Sequence, residues 1–233
     1  MMDSLLKDKR IFIAGGSSGI GLSVAKMAYK LGAKIIVGSR SAAEKHAFLV
    51  DEIGPGVESH SFDATSEAGA EKALATTGDI DYLVITLRPD INPAPFVKTT
   101  VSEAQKAFSS KFWGQYRLIS HAAGHISPGG GIVMTSGIAG EKIYKNFTTM
   151  ALINSASETL CKALAVELAP IRVNIVSPGF VAPKPPEAEK FAEAFPLGRF
   201  ADPFDVAKAY IHLMENAYIT GMTMVVDGGA RLI

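Results

Sequence analysis

A chain of 233 residues with 48% apolar side chains is long enough for one α/β domain around a single large core. Lys plus Arg balance Asp plus Glu at 23 each, so no net basic charge argues for nucleic acid or an anionic membrane as partner. The one cysteine, Cys161, excludes an internal disulfide and fits a reducing compartment. The N-terminal run MMDSLLKDKRIFIAGG is too short in apolar residues for a signal region or a membrane span, so a soluble cytoplasmic protein is expected.

Short β-branched runs alternate with longer helical patterns. The strand candidates are 10–14, 34–38, 57–62, 82–86, 131–135, 172–176 and 222–226, and the helical segments are 19–31, 41–52, 66–77, 102–126, 148–168 and 203–216. This alternation predicts parallel strands joined by right-handed crossovers: a Rossmann-type, doubly wound sheet of about seven strands in one domain spanning 1–233. A proline-rich excursion, about 180–202, interrupts the regularity where a substrate lid would sit; the plain alternative is a surface loop. Cys161 shares a helical pattern with Leu160 and Leu164 and reads as a buried thiol rather than a nucleophile.

The segment AGGSSGIG (14–21) lies between the first strand and the first helix. Gly15 permits the tight turn, Gly19 lets backbone approach a pyrophosphate, Gly21 allows close helix–sheet contact, and the new helix offers free N–H groups. Ser17, Ser18 and Ile20 complete the phosphate-facing loop. At the end of the second strand, Ser39 and Arg40 supply a hydroxyl and a cation where a carboxylate would bind a ribose 2′-hydroxyl, which favours NADP over NAD. Asp63 ends the third strand, placed either to accept from an adenine amino group or to cap the next helix.

Together with IRVNIVSPGFV (171–181), LGRFADPFDVA (197–207), VVDGGARL (225–232), KFWGQY (111–116) and ETLCKALAVELAP (158–170), these residues resemble the short-chain dehydrogenase/reductase family along essentially the whole chain. The resemblance implies an NAD(P)-binding fold, with Pro178, Gly179 and Val181 near the carboxamide, and a dimer or tetramer built on helices 102–126 and 148–168. It also implies a catalytic Asn, Ser, Tyr and Lys, a set that works by general acid–base chemistry. Aligned on the flanking motifs, those four positions hold Lys111, Gly137, Met150 and Asn154. A thioether has no proton to give and glycine has no hydroxyl. After the fourth strand, ITLR (85–88) stands where the family has Asn-Asn-Ala-Gly, and Pro183 stands where it has Thr.

Lys111 and Asn154 read as a reciprocal exchange of the family's Asn and Lys, so that Lys111 restores a cation to the cleft; the plain alternative is a solvated or interface lysine. Tyr144 is the candidate proton donor, since a phenol near an ammonium has a lowered pKa. The cleft near Met134, Ile138, Met150 and Phe180 is expected to be apolar and to suit a small carbonyl or alcohol. Phe108, Phe112, Trp113 and Tyr116 suggest an intersubunit helix face, and His121 and His125, four apart, read as surface residues with no metal. Three functions follow: an NADP-dependent oxidoreductase with altered acid–base groups, an NADP(H)-binding protein without turnover, or a structural protein that has lost the ligand.

Overall fold

A computed structural model describes residues 4–184 and 189–233. Seven strands form one all-parallel sheet: β1 (Arg10–Ala14), β2 (Lys34–Ser39), β3 (Glu58–Ser61), β4 (Ile80–Ile85), β5 (Ile126–Thr135), β6 (Arg172–Pro178) and β7 (Thr223–Val226), in the order β3-β2-β1-β4-β5-β6-β7. The chain builds outward from β1 to β3, then returns to the other side of β1 for β4. The reversal leaves the β1 and β4 ends facing a crevice, the place where open parallel sheets take ligands.

Both sheet faces are buried, and strand residues alternate between them. Ile11, Ile13, Ile35, Val37 and Val84 pack under helices α1 (Gly19–Lys30), α2 (His46–Ile53) and α8 (Pro203–Glu215). Phe12, Ala14, Ile36, Leu83, Ile132 and Ile175 pack under α3 (Glu67–Thr77), α5 (Phe112–Ala122) and α6 (Thr148–Glu167). Cys161 lies in this second core, and burial pushes its thiol up to about 12, so it is the inert buried thiol expected. α4 (Val101–Ser110) and the short α7 (Glu189–Ala192) complete the helices.

Two segments differ from the periodicity. The single helix expected over 102–126 is α4 and α5 meeting at Lys111, whose backbone (φ −110°, ψ −63°) is distorted, followed by a 3-10 turn at Ala123–His125. The hydrogen bonds from Lys111 N to Ala107 O and from Gln115 N to Lys111 O persist across the junction, so the axis bends without the chain leaving its helical path. β5 begins at Ile126, five residues before its apolar run, because Ile126 pairs with Ile80 and the chain then bulges before Gly131 pairs with Tyr82; Gly130 sits in that bulge, where an added Cβ would stand 2.1 Å from Asp81 O. The expected helix 41–52 begins only at His46.

The excursion after β6 is anchored at both described ends. Val181 bridges to Ala201, and Phe180, Phe195 and Phe200 form a small third apolar cluster with Ile138 and Ala230. Residues 185–188 of the 180–202 insertion lie outside the described residues.

Arg172, the first residue of β6, is buried, and its guanidinium closes the C-terminal end of α8. Nη1 donates to Leu213 O at 2.7 Å and Ile219 O at 3.2 Å, and Nη2 to Met214 O at 2.8 Å. Helix-end carbonyls carry partial negative charge, so a planar cation with several donors suits them. Arg172→Met leaves these carbonyls buried and unmet, and is expected to destabilise the fold by about 3 kcal/mol, read as a lowered urea midpoint at unchanged slope.

Candidate active site

The loop between β1 and α1 is shaped by contact with Thr86, just beyond β4. A Cβ added at Gly15 (φ +88°) would stand 2.7 Å from Thr86 Oγ1, and one at Gly21 would stand 2.5 Å from the same atom and 2.4 Å from Gly15 O. Thr86 Oγ1 itself donates to Ala14 O at 3.1 Å. Gly19 (φ +52°) is the opposite case: nothing lies within 4 Å of its missing side chain, so the loop is open on that side. Ser18 precedes α1 with extended backbone but its hydroxyl makes no cap bond, and the first turn has no acidic residue. The first-turn N–H groups therefore have no side-chain cap and keep their positive dipole end, while Ser17 is buried and Ile20 half-buried beside them.

At the end of β2, Ser39 Oγ is buried and has no hydrogen-bond partner, and Arg40 beyond it is exposed. Asp63 Oδ1 accepts from Thr65 N at 2.9 Å and Thr65 Oγ1 at 2.8 Å, bonds that hold its carboxyl below the usual range, with Arg40 and Arg117 adding to the effect. The cap of α3 is Ser66, not Asp63. Gly179 N donates to Val226 O at 2.9 Å, and an added Cβ there would stand 2.8 Å from Asp227 Cα, which fixes Pro178, Gly179 and Val181 at the β6 end of the crevice. An open glycine, an uncapped helix start, an orphaned serine hydroxyl and a free-standing arginine are what a dinucleotide with a 2′-phosphate requires, so the residues fit that group.

Leu87 does not fill the crevice. It turns into the core under the sheet, where Gly114 of α5 makes room: a Cβ at Gly114 would stand 2.9 Å from Leu87 Cδ1. Arg88 is exposed and lines a polar cleft of about 390 Å³ with Asn92, Lys98, Thr99 and Glu103.

Lys111 is not a solvated lysine. It is 5% exposed, and its Nζ donates to Ser136 O at 2.8 Å and to Asn154 Oδ1 at 2.8 Å. Burial brings its ammonium down to about 7, opposed by the carboxylate of Glu158. The two exchanged residues thus meet directly. Glu158, one turn beyond Asn154 on α6, accepts from Ser136 Oγ at 2.8 Å. Behind them Gln115 bridges α6 to β5, donating to Ser157 Oγ at 3.1 Å and accepting from Thr135 N at 3.1 Å; Thr135 Oγ1 meets Tyr210 OH at 2.6 Å. Gln115 and Glu158 lie inside the family-like segments 111–116 and 158–170, but those segments assign them no role, and Ser136 was one of several nearby hydroxyls. The legible clue was polar residues at core-facing helix positions.

Tyr144 stands apart from this network. Its hydroxyl donates to Ala230 O at 3.3 Å, its ring packs edge-on to Phe180, and the ammonium over that ring, at 5.3 Å, is Lys142. Burial, with Asp227, raises its pKa, against the lowered value expected. Met150 is half-buried and, with Asn92, Ala94, Phe147 and Thr149, lines a space of about 10 Å³, room for about one water. The apolar cleft expected near Met134, Ile138, Met150 and Phe180 divides: Met134 is in the sheet core, while Ile138 and Phe180 belong to the third cluster. His121 and His125 pair with separate carboxylates, Glu67 and Asp79.

A family model described as enoyl-(acyl carrier protein) reductase matches residues 14–231. L-xylulose reductase of Bos taurus is 32% identical over 98% of this chain and 98% of its own, and carbonyl reductase family member 4 of Xenopus tropicalis is 32% identical over 94% and 97%. A crystal structure of a small-chain dehydrogenase in complex with NADPH superposes with a TM-score of 0.82 at 30% identity, over 97% of this chain and all of that one. The sheet order, the glycine loop and these likenesses agree, and the chain belongs to the short-chain dehydrogenase/reductase family of oxidoreductases.

Proposed function

We propose that this chain binds NADP(H) and reduces a small carbonyl compound, or oxidises the matching alcohol, with Lys111 as the acid–base group. The observation that carries the reading is the buried Lys111 ammonium, bonded to Asn154 at 2.8 Å where the family's acid–base residues meet. The bound cofactor supplies a hydride to the carbonyl carbon. Gly15, Ser17, Ser18, Gly19 and Ile20 hold the pyrophosphate, Ser39 and Arg40 the 2′-phosphate, Asp63 the adenine, and Pro178, Gly179 and Val181 the carboxamide. Lys111 stabilises, from behind Asn154, the negative charge that develops on the oxygen and is the source, through an intervening water, of the proton that neutralises it. Tyr144, held by Ala230 O, forms cleft wall.

One observation favours a second reading, an NADP(H)-binding protein without turnover: around Met150 the described space is only about 10 Å³. NADPH binding without reduction of any carbonyl would select it.

Homodimers are the proposed assembly. Trp113 and Tyr116 on α5 are 46% and 47% exposed, and Leu152 and Val166 on α6 are 57% and 79% exposed, an apolar area that a second copy would cover. Trp113→Glu is expected to convert a dimer to a monomer in analytical ultracentrifugation; a wild-type monomer would refute the assembly.

Calorimetric titration is expected to give micromolar NADPH binding, with NADH at least about tenfold weaker. Arg40→Ala should weaken NADPH by about tenfold and leave NADH unchanged. Absence of NADPH binding ends the reading.

The pH dependence follows from Lys111. Reduction needs the ammonium, so kcat/KM for NADPH-dependent reduction of 2,3-butanedione should be full at low pH and fall as pH rises through about 7, with the opposite trend for alcohol oxidation. Lys111→Met should abolish this limb and most turnover, whereas Tyr144→Phe should stay within about threefold. A flat profile, or full activity of Lys111→Met, would exclude Lys111 from the chemistry.

A further inference from the structure

Gly137 occupies the position of the family's catalytic serine, and an added Cβ there would stand 3.0 Å from Asn154 Nδ2 and 3.6 Å from Pro178 O. Which amide atom faces that space is decided by Lys111. An ammonium only donates, so Asn154 Oδ1 must turn to Nζ and the amino group must turn toward Gly137. Gly140 lets the turn after β5 lie close to α6 at this point, since a Cβ there would stand 3.0 Å from Asn154 Cβ. Asn154 Nδ2 meets no hydrogen-bond acceptor among the described residues and is not among their sealed, orphaned polar atoms, while Oδ1 accepts from Lys111 Nζ. A donor therefore stands, unused, within a bond's reach of where a serine side chain would begin.

We propose that Asn154 Nδ2 does the serine's work: it donates a hydrogen bond to the oxygen of the substrate carbonyl, and Lys111 is also the positioning residue that aims it. The inference rests on the reductase reading above. The hydrogen bond holds and polarises the oxygen, and no proton leaves the amide. Its electron pull is strengthened from behind, because the Lys111 charge on Oδ1 makes the amino group a better donor. Glycine at 137 belongs to the same arrangement, since a side chain there would crowd the amide by a few tenths of an ångström. The replacements at 111, 137 and 154 form one coupled exchange.

The test is a four-protein cycle on NADPH-dependent reduction of 2,3-butanedione at about pH 6, below the Lys111 transition at about 7, with NADPH affinity measured for each protein by fluorescence. Asn154→Ala is expected to keep NADPH affinity within about threefold and to lose about a hundredfold in kcat/KM, the usual effect of removing one donor to a developing oxyanion. Gly137→Ser alone should also lower turnover by crowding the amide. In the Asn154→Ala background, however, Gly137→Ser should recover about tenfold, because a hydroxyl then takes the vacated donor place. Gly137→Ala in the Asn154→Ala background, which refills the same space without a donor, should recover nothing; equal recovery by alanine and serine would show that packing alone is restored and would overturn the proposal.

Turnover unaffected by Asn154→Ala, or Gly137→Ser no better in that background than in the wild type, overturns the proposal while leaving the reductase reading intact. A wild type that does not bind NADPH, or binds it without turnover, overturns both.

Discussion

An ammonium taken out of water must be met by protein oxygens, and at Lys111 that requirement organises everything around it. The desolvation penalty is large enough to pull the pKa to about 7, and two acceptors at 2.8 Å with a carboxylate nearby offset part of it. Those acceptors come from different elements: Ser136 O follows β5 and Asn154 lies in α6. Lys111 sits at the bend between α4 and α5. One side chain thus ties three elements together at the C-terminal side of the sheet. Gln115, one turn later on α5, repeats the tie one layer deeper through Ser157 and Thr135. A bend in the helix and a polar stripe along its core-facing side are consequences of the same buried charge.

The crevice opposite depends on close approach rather than on charge. Gly15 and Gly21 both press on Thr86, so β1, the loop, the start of α1 and the residue after β4 form one packed unit with no room for a methyl group. Gly19, with open space beside it, is the exception that leaves a side free for a ligand. The segment ITLR shows how this geometry is kept when its residues change. Thr86 takes the packing position under the glycines, Leu87 swings into the core because Gly114 vacates it, and Arg88 goes to solvent. Two large residues in place of small ones do not close the crevice when the neighbouring helix supplies a compensating glycine.

Much of this was legible in the sequence. The strand and helix pattern fixes a parallel sheet because a period of two alternating with a period of 3.6 has few other solutions, and AGGSSGIG lies where β1 meets α1. The meeting of Lys111 with Asn154 was readable as a paired exchange 43 residues apart. The bend at Lys111 was not, because Ala107, Gly114, Leu118 and Ala122 keep helical spacing straight through it. Nor was the direction of Leu87, which depends on a glycine 27 positions away, as 114 minus 87 gives. The role expected for Tyr144 failed for a similar reason. Proximity in sequence to the catalytic segment did not say that Ala230 O, from the far end of the chain, would hold its hydroxyl.

The three exchanged positions make physical sense only together. A lysine at 111 with the family's lysine still at 154 would bury two ammonium groups side by side, a repulsion no single acceptor relieves. Asparagine at 154 removes one charge and supplies the oxygen the other needs. Its amino group must then point away from the cation, toward 137, where a serine side chain would crowd it. The lysine at 111 is therefore unfavourable alone and favourable once asparagine stands at 154, which is what one expects of neighbours sharing a hydrogen-bond network. Met150 lies outside this logic: it touches the small space by Phe147 and Thr149, and nothing in the Lys111 network calls for a thioether. The proposed site therefore combines two independent departures, a coupled exchange that keeps a cation and a donor and a separate loss of the phenol, and on that proposal the proton is drawn from the cation because Met150 has none to give.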